Sequence, residues 1–204
     1  LKCGILGLPN VGKSTLFNSI STGKAEAANF PFCTIEPNLG VVTVPDSRLD
    51  ELTKLVDPKK TIPTTINFVD IAGLVKGASK GEGLGNKFLS NLREVDLLIH
   101  VVRCFENDNI VHVNGKIDPV SDKEVIDYEL IIKDLETVDK RLDKIKKQAV
   151  VGDKEKKIEC DVLLNCKSHL EDGKNLRNLG LEDNELKWIH HLNLITLKPL
   201  IYVA

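Results

Sequence analysis

An eight-residue stretch near the start of the chain combines the residue types that bind the phosphates of a nucleotide. Residues 7–14 read Gly-Leu-Pro-Asn-Val-Gly-Lys-Ser and fit the pattern G-x-x-x-x-G-K-[ST]. In such a loop the backbone N–H groups point at an anion and the lysine reaches the β- and γ-phosphates. The hydroxyl that follows the lysine supplies a ligand for Mg²⁺. We therefore predict nucleotide contacts at Asn10, Val11, Gly12, Lys13, Ser14 and Thr15, with Lys13 also catalytic.

The neighbouring residues supply the context that such a loop needs. An apolar run at residues 3–6 predicts a buried strand, and residues 15–20 predict the first turns of a helix. A helix that begins at the loop adds its positive N-terminal dipole to the anion site. The alternative is a glycine-rich turn with a surface lysine, and the strand–loop–helix order disfavours it.

A second motif lies further along, at the predicted end of another strand. Asp70-Ile71-Ala72-Gly73 fits the D-x-x-G of nucleotide switches. In this motif the aspartate helps to hold Mg²⁺, here through water, and the glycine N–H meets the γ-phosphate. Between the two motifs Thr34 is the candidate for a third Mg²⁺ contact, although a plain loop with two prolines remains the alternative there. The predicted metal ligands are thus Ser14, Thr34 and Asp70, and Gly73 is assigned a catalytic role.

Strands that alternate with helices must position these motifs. Strands are predicted at residues 41–44, 65–70, 97–102 and 199–203, with helices at 47–56 and 86–95. This order predicts an α/β fold with a mostly parallel sheet, in which ligands bind at the carboxyl ends of the strands. The 204 residues are enough for one large domain that carries an insert.

The region from 121 to 191 interrupts the alternation. Apolar residues recur there at spacings of three and four, at Ile131, Leu135, Val138, Leu142, Ile145 and Ala149, and then on a return segment at Ile158, Val162 and Cys166. This periodicity predicts an antiparallel, coiled-coil-like helical hairpin inserted between two strands. We therefore divide the chain into a P-loop domain, 1–120 and 192–204, and a helical insert, 121–191.

The tip of this hairpin is basic. Residues 140–157 hold eight Lys or Arg side chains against three acids. The pattern fits a solvated helix surface, and it equally fits an arm that contacts the phosphates of RNA. The net charge of −2 gives no global field that would mark the whole chain as a nucleic-acid binder.

Composition sets further limits. The five cysteines form no C-x-x-C pair, so neither zinc nor a disulfide framework is predicted. No apolar run of membrane-spanning length occurs, and we expect a cytoplasmic protein without a membrane partner.

Three stretches resemble the Obg-related P-loop switches: G-L-P-N-V-G-K-S, N-F-P-F-C-T-I-E-P-N and D-I-A-G-L-V-K-G-A. The run R-C-F-E-N-D-N-I-V-H-V at 103–113 and the terminal L-K-P-L-I-Y-V-A resemble more narrowly the Obg-like ATPases, the YchF family. This resemblance implies a P-loop G domain with a coiled-coil insert and a C-terminal TGS domain, which would lie beyond Ala204. It also implies Mg²⁺-dependent hydrolysis of ATP in preference to GTP and association with the ribosome, and we expect a monomer.

Base preference cannot be assigned from the residues themselves. The base-reading motif, N-x-x-E in this family, is expected directly after the last strand, beyond Ala204. Residues 91–94 fit N-x-x-E by letters only, because they belong to a predicted helix on another part of the fold.

Leu74 takes the position at which many switch GTPases carry a glutamine that orients the attacking water. An alkyl side chain cannot form that hydrogen bond, so another group must place the water. The candidates are His112 in a predicted loop, the γ-phosphate itself, and a K⁺ ion held by Asn10. Slow hydrolysis is expected, as suits a switch whose output is a change of shape.

Two other functional classes remain open. One is a nucleotide-responsive binding module without hydrolysis, which stays open because Leu74 cannot orient the attacking water. The other is a small-molecule P-loop kinase, which would need a lid with arginines and an acceptor pocket. D-x-x-G together with Thr34 favours the switch.

Overall fold

The computed structural model describes residues 1–22, 39–71, 90–107, 109–113, 115–150 and 153–204. Three predicted site residues, Thr34, Gly73 and Leu74, lie outside these ranges.

A five-stranded sheet forms the centre of the fold. Its strands are β1 (Lys2–Leu6), β2 (Leu39–Thr43), β3 (Thr65–Asp70), β4 (Leu97–Val101) and β5 (Leu200–Val203). They lie in the order β2-β3-β1-β4-β5, and only β2 runs antiparallel to its neighbour. The predicted α/β fold with a mostly parallel sheet is confirmed.

Helices connect and cover these strands. They are α1 (Lys13–Thr22), α2 (Ser47–Val56), α3 (Pro119–Val150), α4 (Lys154–Glu171) and α5 (Asp183–Ile189). Short 3₁₀ turns follow at Leu176–Asn178, His190–Leu192 and Ile195–Leu197, and residues 90–93 are also helical. The helix α2 begins as its sequence predicts, because the side chain of Asp46 accepts a hydrogen bond from the Arg48 N–H.

The centre of the sheet is buried. β1 and β4 are apolar runs whose residues are almost all inaccessible to solvent, as expected for parallel strands covered on both faces. Ile126 and Leu130 of α3 belong to the same buried cluster as Ile5 and Leu98. The N-terminal part of the long helix is therefore packed on the sheet.

The helices α3 and α4 form the predicted hairpin. Arg141 pairs with Glu159, and Asp139 pairs with Lys167, so positions rise along one helix as they fall along the other. The helices are therefore antiparallel, with a second buried cluster between them. Asp153 caps the start of α4 by accepting hydrogen bonds from the N–H groups of residues 155 and 156.

One residue of the predicted seam was assigned wrongly. Ile158 is 46% exposed, whereas Val162 and Cys166 are buried as expected. The apolar stripe of α4 is carried instead by Cys160, Leu163 and Leu170, and the position next to Ile158 on the buried side is Glu159. A charged residue at an inward position hid the true phase of the helix, because an acid is normally read as outward-facing.

A buried carboxylate joins the hairpin to the sheet. Asp134 of α3 is fully buried and accepts hydrogen bonds from the N–H groups of Ile195 and Thr196, at 3.0 and 2.7 Å, and from the Thr196 hydroxyl at 2.7 Å. These contacts fix the segment that leads into β5. The helical region spans Pro119 to Leu197, and the predicted division at residues 121 and 191 stays a prediction.

Candidate functional site

The strand register brings the predicted site residues to one edge of the sheet. Ile5 of β1 pairs with Asp70 of β3 on one side and with Ile99 of β4 on the other. The loop that follows β1 therefore emerges between the carboxyl ends of β3 and β4. This is the edge at which parallel sheets bind their ligands.

The loop can turn there because of its glycines. A Cβ added to Gly7 would lie 2.4 Å from the carbonyl oxygen of Val101 at the end of β4, so only glycine allows this approach. Gly12 has a φ of +104° with open space where a side chain would be, and Asn10 has a φ of +61°. Positive φ at residues 10 and 12 is typical of loops whose N–H groups can converge on an anion.

The side chains of the loop divide between core and surface. Val11 is buried in the sheet cluster, so its predicted nucleotide contact is through its backbone N–H. Ser14 and Thr15 are exposed at the start of α1. Val11 thus anchors the loop in the core, and the start of α1 presents the hydroxyls of Ser14 and Thr15.

Lys13 is held inside the loop that precedes it. Its side chain is buried, with the residue 7% exposed, and Nζ donates a hydrogen bond to the Leu8 carbonyl at 2.8 Å. Burial lowers the pKa of Lys13 from its ordinary value, and the nearby carboxylate of Asp70 acts in the opposite sense. A buried ammonium whose hydrogen-bond partner among the described residues is one carbonyl has capacity for an anion beside it.

Ser14 and Asp70 meet across the two motifs. The Ser14 hydroxyl donates to Asp70 Oδ2 at 3.1 Å, and Asp70 Oδ1 is buried without a hydrogen-bond partner among the described residues. A hydroxyl beside a carboxylate with an unused buried oxygen is a set of hard oxygen ligands, which fits Mg²⁺. Among the described residues, no group of three or more His, Cys, Asp or Glu side chains is arranged to hold a metal ion.

A segment after β4 contacts the loop from outside. The Asn10 amide donates to the Val111 carbonyl at 3.2 Å. The segment is fixed from within by Arg103, which is 1% exposed and donates to the carbonyls of Phe105, Asn107 and Ile110. Its guanidinium also lies 4.8 Å from the centre of the Phe105 ring. The fork of donors on one arginine therefore orders the backbone of this segment, and the Asn10–Val111 contact joins it to the loop.

His112, the predicted water-positioning residue, is buried in this segment. Its Nε2 lies 2.8 Å from Asp122 Oδ2, and both side chains are almost fully inaccessible to solvent. Asp122 belongs to the first turn of α3. The structure therefore places His112 between the Val111 contact with the loop and the start of the hairpin, and its role in hydrolysis stays a prediction.

Sequence reasoning missed Arg103 and Asp122. An arginine directly after a buried apolar strand is an unusual position for a charge, and that position was the available signal for Arg103. Asp122 reads locally as an ordinary acid in the first turn of a helix. Its partner His112 is ten residues away in a loop, so no periodicity links the two.

Comparison with known proteins assigns the chain to a family. A family model described as a 50S ribosome-binding GTPase matches residues 2–151. The chain is 58% identical over 203 residues to the ribosome-binding ATPase YchF of Escherichia coli O157:H7, and 55% identical over 204 residues to that of Bacillus subtilis strain 168. In both cases the match covers 100% of this chain and 56% of the relative.

A solved structure agrees with this assignment. The Schizosaccharomyces pombe YchF GTPase superposes with a TM-score of 0.81 at 42% identity, over 99% of this chain and 55% of that one. The chain thus spans about half the length of the curated relatives it matches. The resemblance inferred from the motifs is confirmed, and the chain belongs to the 50S ribosome-binding GTPase family and, within it, to the YchF proteins.

Proposed function

We propose that this chain is the nucleotide-binding part of a Mg²⁺-dependent triphosphatase that prefers ATP to GTP and acts at the ribosome. The observation that carries the proposal is the contact between Ser14 and Asp70 beside the buried ammonium of Lys13. The phosphate-binding loop and the acid of the second motif converge there on one point. Family names support the ribosome as partner and ATP as substrate, since two relatives are named ribosome-binding ATPases.

Each residue of the loop has a distinct task in this proposal. Lys13 leaves the Leu8 carbonyl and contacts the β- and γ-phosphates. Ser14, Asp70 and Thr34 would hold Mg²⁺, with Asp70 acting through water. A bound Mg²⁺ would supply positive charge beside the phosphates. The backbone N–H groups at residues 10–12 and the start of α1 bind the remaining phosphate oxygens.

Water must be positioned without a glutamine, because the residue after Gly73 is Leu74. We propose that His112 positions the attacking water and that Asp122 fixes the orientation of its imidazole, as a carboxylate does in a catalytic triad. The contact between His112 Nε2 and Asp122 Oδ2 supports this role, and a purely structural hydrogen bond would have the same geometry. A K⁺ ion held by Asn10 is the complementary proposal, with the γ-phosphate as proton acceptor.

The same contacts offer a route from the nucleotide to the hairpin. Asn10 contacts Val111, the next residue is His112, and Asp122 begins the long helix. A change in the loop on loss of the γ-phosphate would reach α3 through two hydrogen bonds. The proposed output is a change in how the hairpin meets the ribosome.

Calorimetry on the full-length protein tests nucleotide binding. Wild-type protein should bind ATP more tightly than GTP, and only with magnesium present. Ser14→Ala and Asp70→Asn should lose the magnesium dependence, because each removes one of the metal's contacts. Binding that is equally strong in EDTA and in Mg²⁺ would contradict the proposal.

Phosphate release with and without ribosomes tests turnover. A slow basal rate that ribosomes raise is expected, and no release under either condition would leave the non-hydrolysing module as the better description. His112→Ala and Asp122→Asn should each cut turnover several-fold with ATP affinity unchanged. If His112→Ala protein bound and turned over ATP like the wild type, His112 would be excluded as the water-positioning group.

A further inference from the structure

A cavity lined by charged side chains lies away from the nucleotide loop, where α3 passes the helical residues 90–93 and the His190–Leu192 turn. Its volume is about 350 Å³. It is lined by Arg93, Lys133, Glu136, Thr137, Lys140, Arg141, Lys144, His191 and Leu192.

The charge of this cavity is strongly unbalanced. Five lining side chains carry a fixed positive charge and one, Glu136, carries a negative charge. Glu136 accepts a hydrogen bond from Lys133 at 3.1 Å, so its charge is matched within the wall. The chain as a whole has a net charge of −2, and the concentration of cations here is therefore a local feature.

Two of the cations are already held in place. The guanidinium of Arg93 donates to the Thr137 hydroxyl, and the Arg93 carbonyl accepts from Lys198 Nζ at 2.9 Å. Arg141 donates through Nε to the buried Glu159 at 2.6 Å. Each arginine uses part of its fork on the protein and has further donors. Little side-chain conformational freedom is therefore lost when an anion binds.

Lys140 and Lys144 complete the cavity from the exposed face of α3, one turn apart. The lining contains no Phe, Tyr or Trp, and His191 supplies its one ring. The five fixed positive charges therefore favour phosphate groups over bases.

We propose that this cavity is a binding site for a run of adjacent phosphate groups. The chemistry is shared by a free oligophosphate and by the backbone of single-stranded RNA, and the experiment distinguishes the two sources. The site is separate from the nucleotide loop and does not depend on hydrolysis there. It also differs from the predicted arm at 140–157, because it uses the base of that arm together with Arg93 and Lys133.

The test is calorimetric titration of the full-length protein with inorganic tripolyphosphate and, separately, with a single-stranded RNA oligomer. All proteins carry Lys13→Ala and the buffer contains EDTA, so that the nucleotide loop does not contribute. The cavity variant is Lys140→Gln with Lys144→Gln. The matched control is Lys146→Gln with Lys154→Gln, which removes the same charge from exposed positions of the hairpin that do not line the cavity.

We expect the cavity variant to bind at least tenfold more weakly than the control for whichever source is correct, with an affinity that falls steeply with salt. Loss for tripolyphosphate alone identifies a free oligophosphate, and loss for RNA identifies a polynucleotide backbone. Equal weakening in the cavity variant and the control overturns the site, as does the absence of binding to both ligands. Thermal unfolding of both variants should match the parent, since all four lysines are exposed.

Discussion

Gly7 and Gly12 belong to one loop but have different reasons to be glycine, and alanine at each position should separate them. A methyl at Gly7 would lie 2.4 Å from the Val101 carbonyl oxygen, whereas a methyl at Gly12 meets no atom within 4 Å. Ordinary carbon–oxygen contacts are about 3.3–3.6 Å, so Gly7→Ala requires the ends of β1 and β4 to part by about 1 Å.

The magnitudes follow from these contacts. Overpacking of this kind costs about 1–3 kcal/mol, and positive φ costs a side chain about 1–2 kcal/mol more. Gly7→Ala should therefore lower the free energy of unfolding by about 2–5 kcal/mol, and Gly12→Ala by about 1–2 kcal/mol from strain alone. With a urea dependence of about 2 kcal/mol per molar, the midpoints should fall by about 1–2.5 M and about 0.5–1 M.

Urea unfolding without nucleotide, followed by far-UV circular dichroism, measures both midpoints. ATP affinity supplies the second comparison, because in the proposed function the loop closes round the phosphates at residue 12. Gly12→Ala should lose ATP affinity by more than its small loss of stability explains. If the two variants unfolded at the same urea concentration, the close approach between Gly7 and Val101 would not be the constraint we describe.

Three further predictions concern the contacts of three buried polar side chains. Asp134→Ala leaves three buried donors without an acceptor and should lower the free energy of unfolding by about 3–5 kcal/mol, measured by chemical unfolding. Thr196→Val removes one donor and should lower it by about 1 kcal/mol. Equal losses would refute the assignment of Asp134 as the acceptor shared by three donors. Burial by itself raises the pKa of Glu159, but its hydrogen bonds and nearby cations outweigh burial and leave that pKa below 4.5. The stabilisation by Glu159 is therefore present above about pH 4.5 and lost as the pH falls through the folded-state pKa. Glu159→Gln should have a free energy of unfolding about 1–3 kcal/mol lower than that of the wild type at pH 7, and this difference should disappear in acid. A difference that grew in acid would contradict the lowered pKa. A lysine in place of Arg103 cannot reach three carbonyls at once, so hydrogen exchange at the described residues of 105–113 should become faster in Arg103→Lys. Unchanged exchange would show that other contacts hold the segment.

Local signals predicted the parts of the fold that they control. The β3 strand and the α2 helix have the predicted bounds, since alternation in one and an aspartate cap in the other act over a few residues. The loop motif predicted the strand–loop–helix order, and α1 begins at Lys13, two residues before the predicted start at residue 15.

Contacts between distant residues could not be predicted in this way. Ile158 faces solvent because the inward position beside it belongs to Glu159, whose charge is matched by Arg141 on the other helix. The Arg103 contacts depend on a path of irregular backbone that has no period. The cavity beside Arg93 depends on how α3 passes a separate helical segment, which no stretch of sequence encodes alone.

The length of α3 has a mechanical consequence. The helix contains 32 residues and begins next to the pair formed by His112 and Asp122. At 1.5 Å per residue it is about 48 Å long, so a tilt of about 5° at its first turn moves its far end by about 4 Å. A rearrangement at the nucleotide too small to disturb the sheet would therefore become, at the distal end of the hairpin, a displacement comparable to the spacing between neighbouring strands.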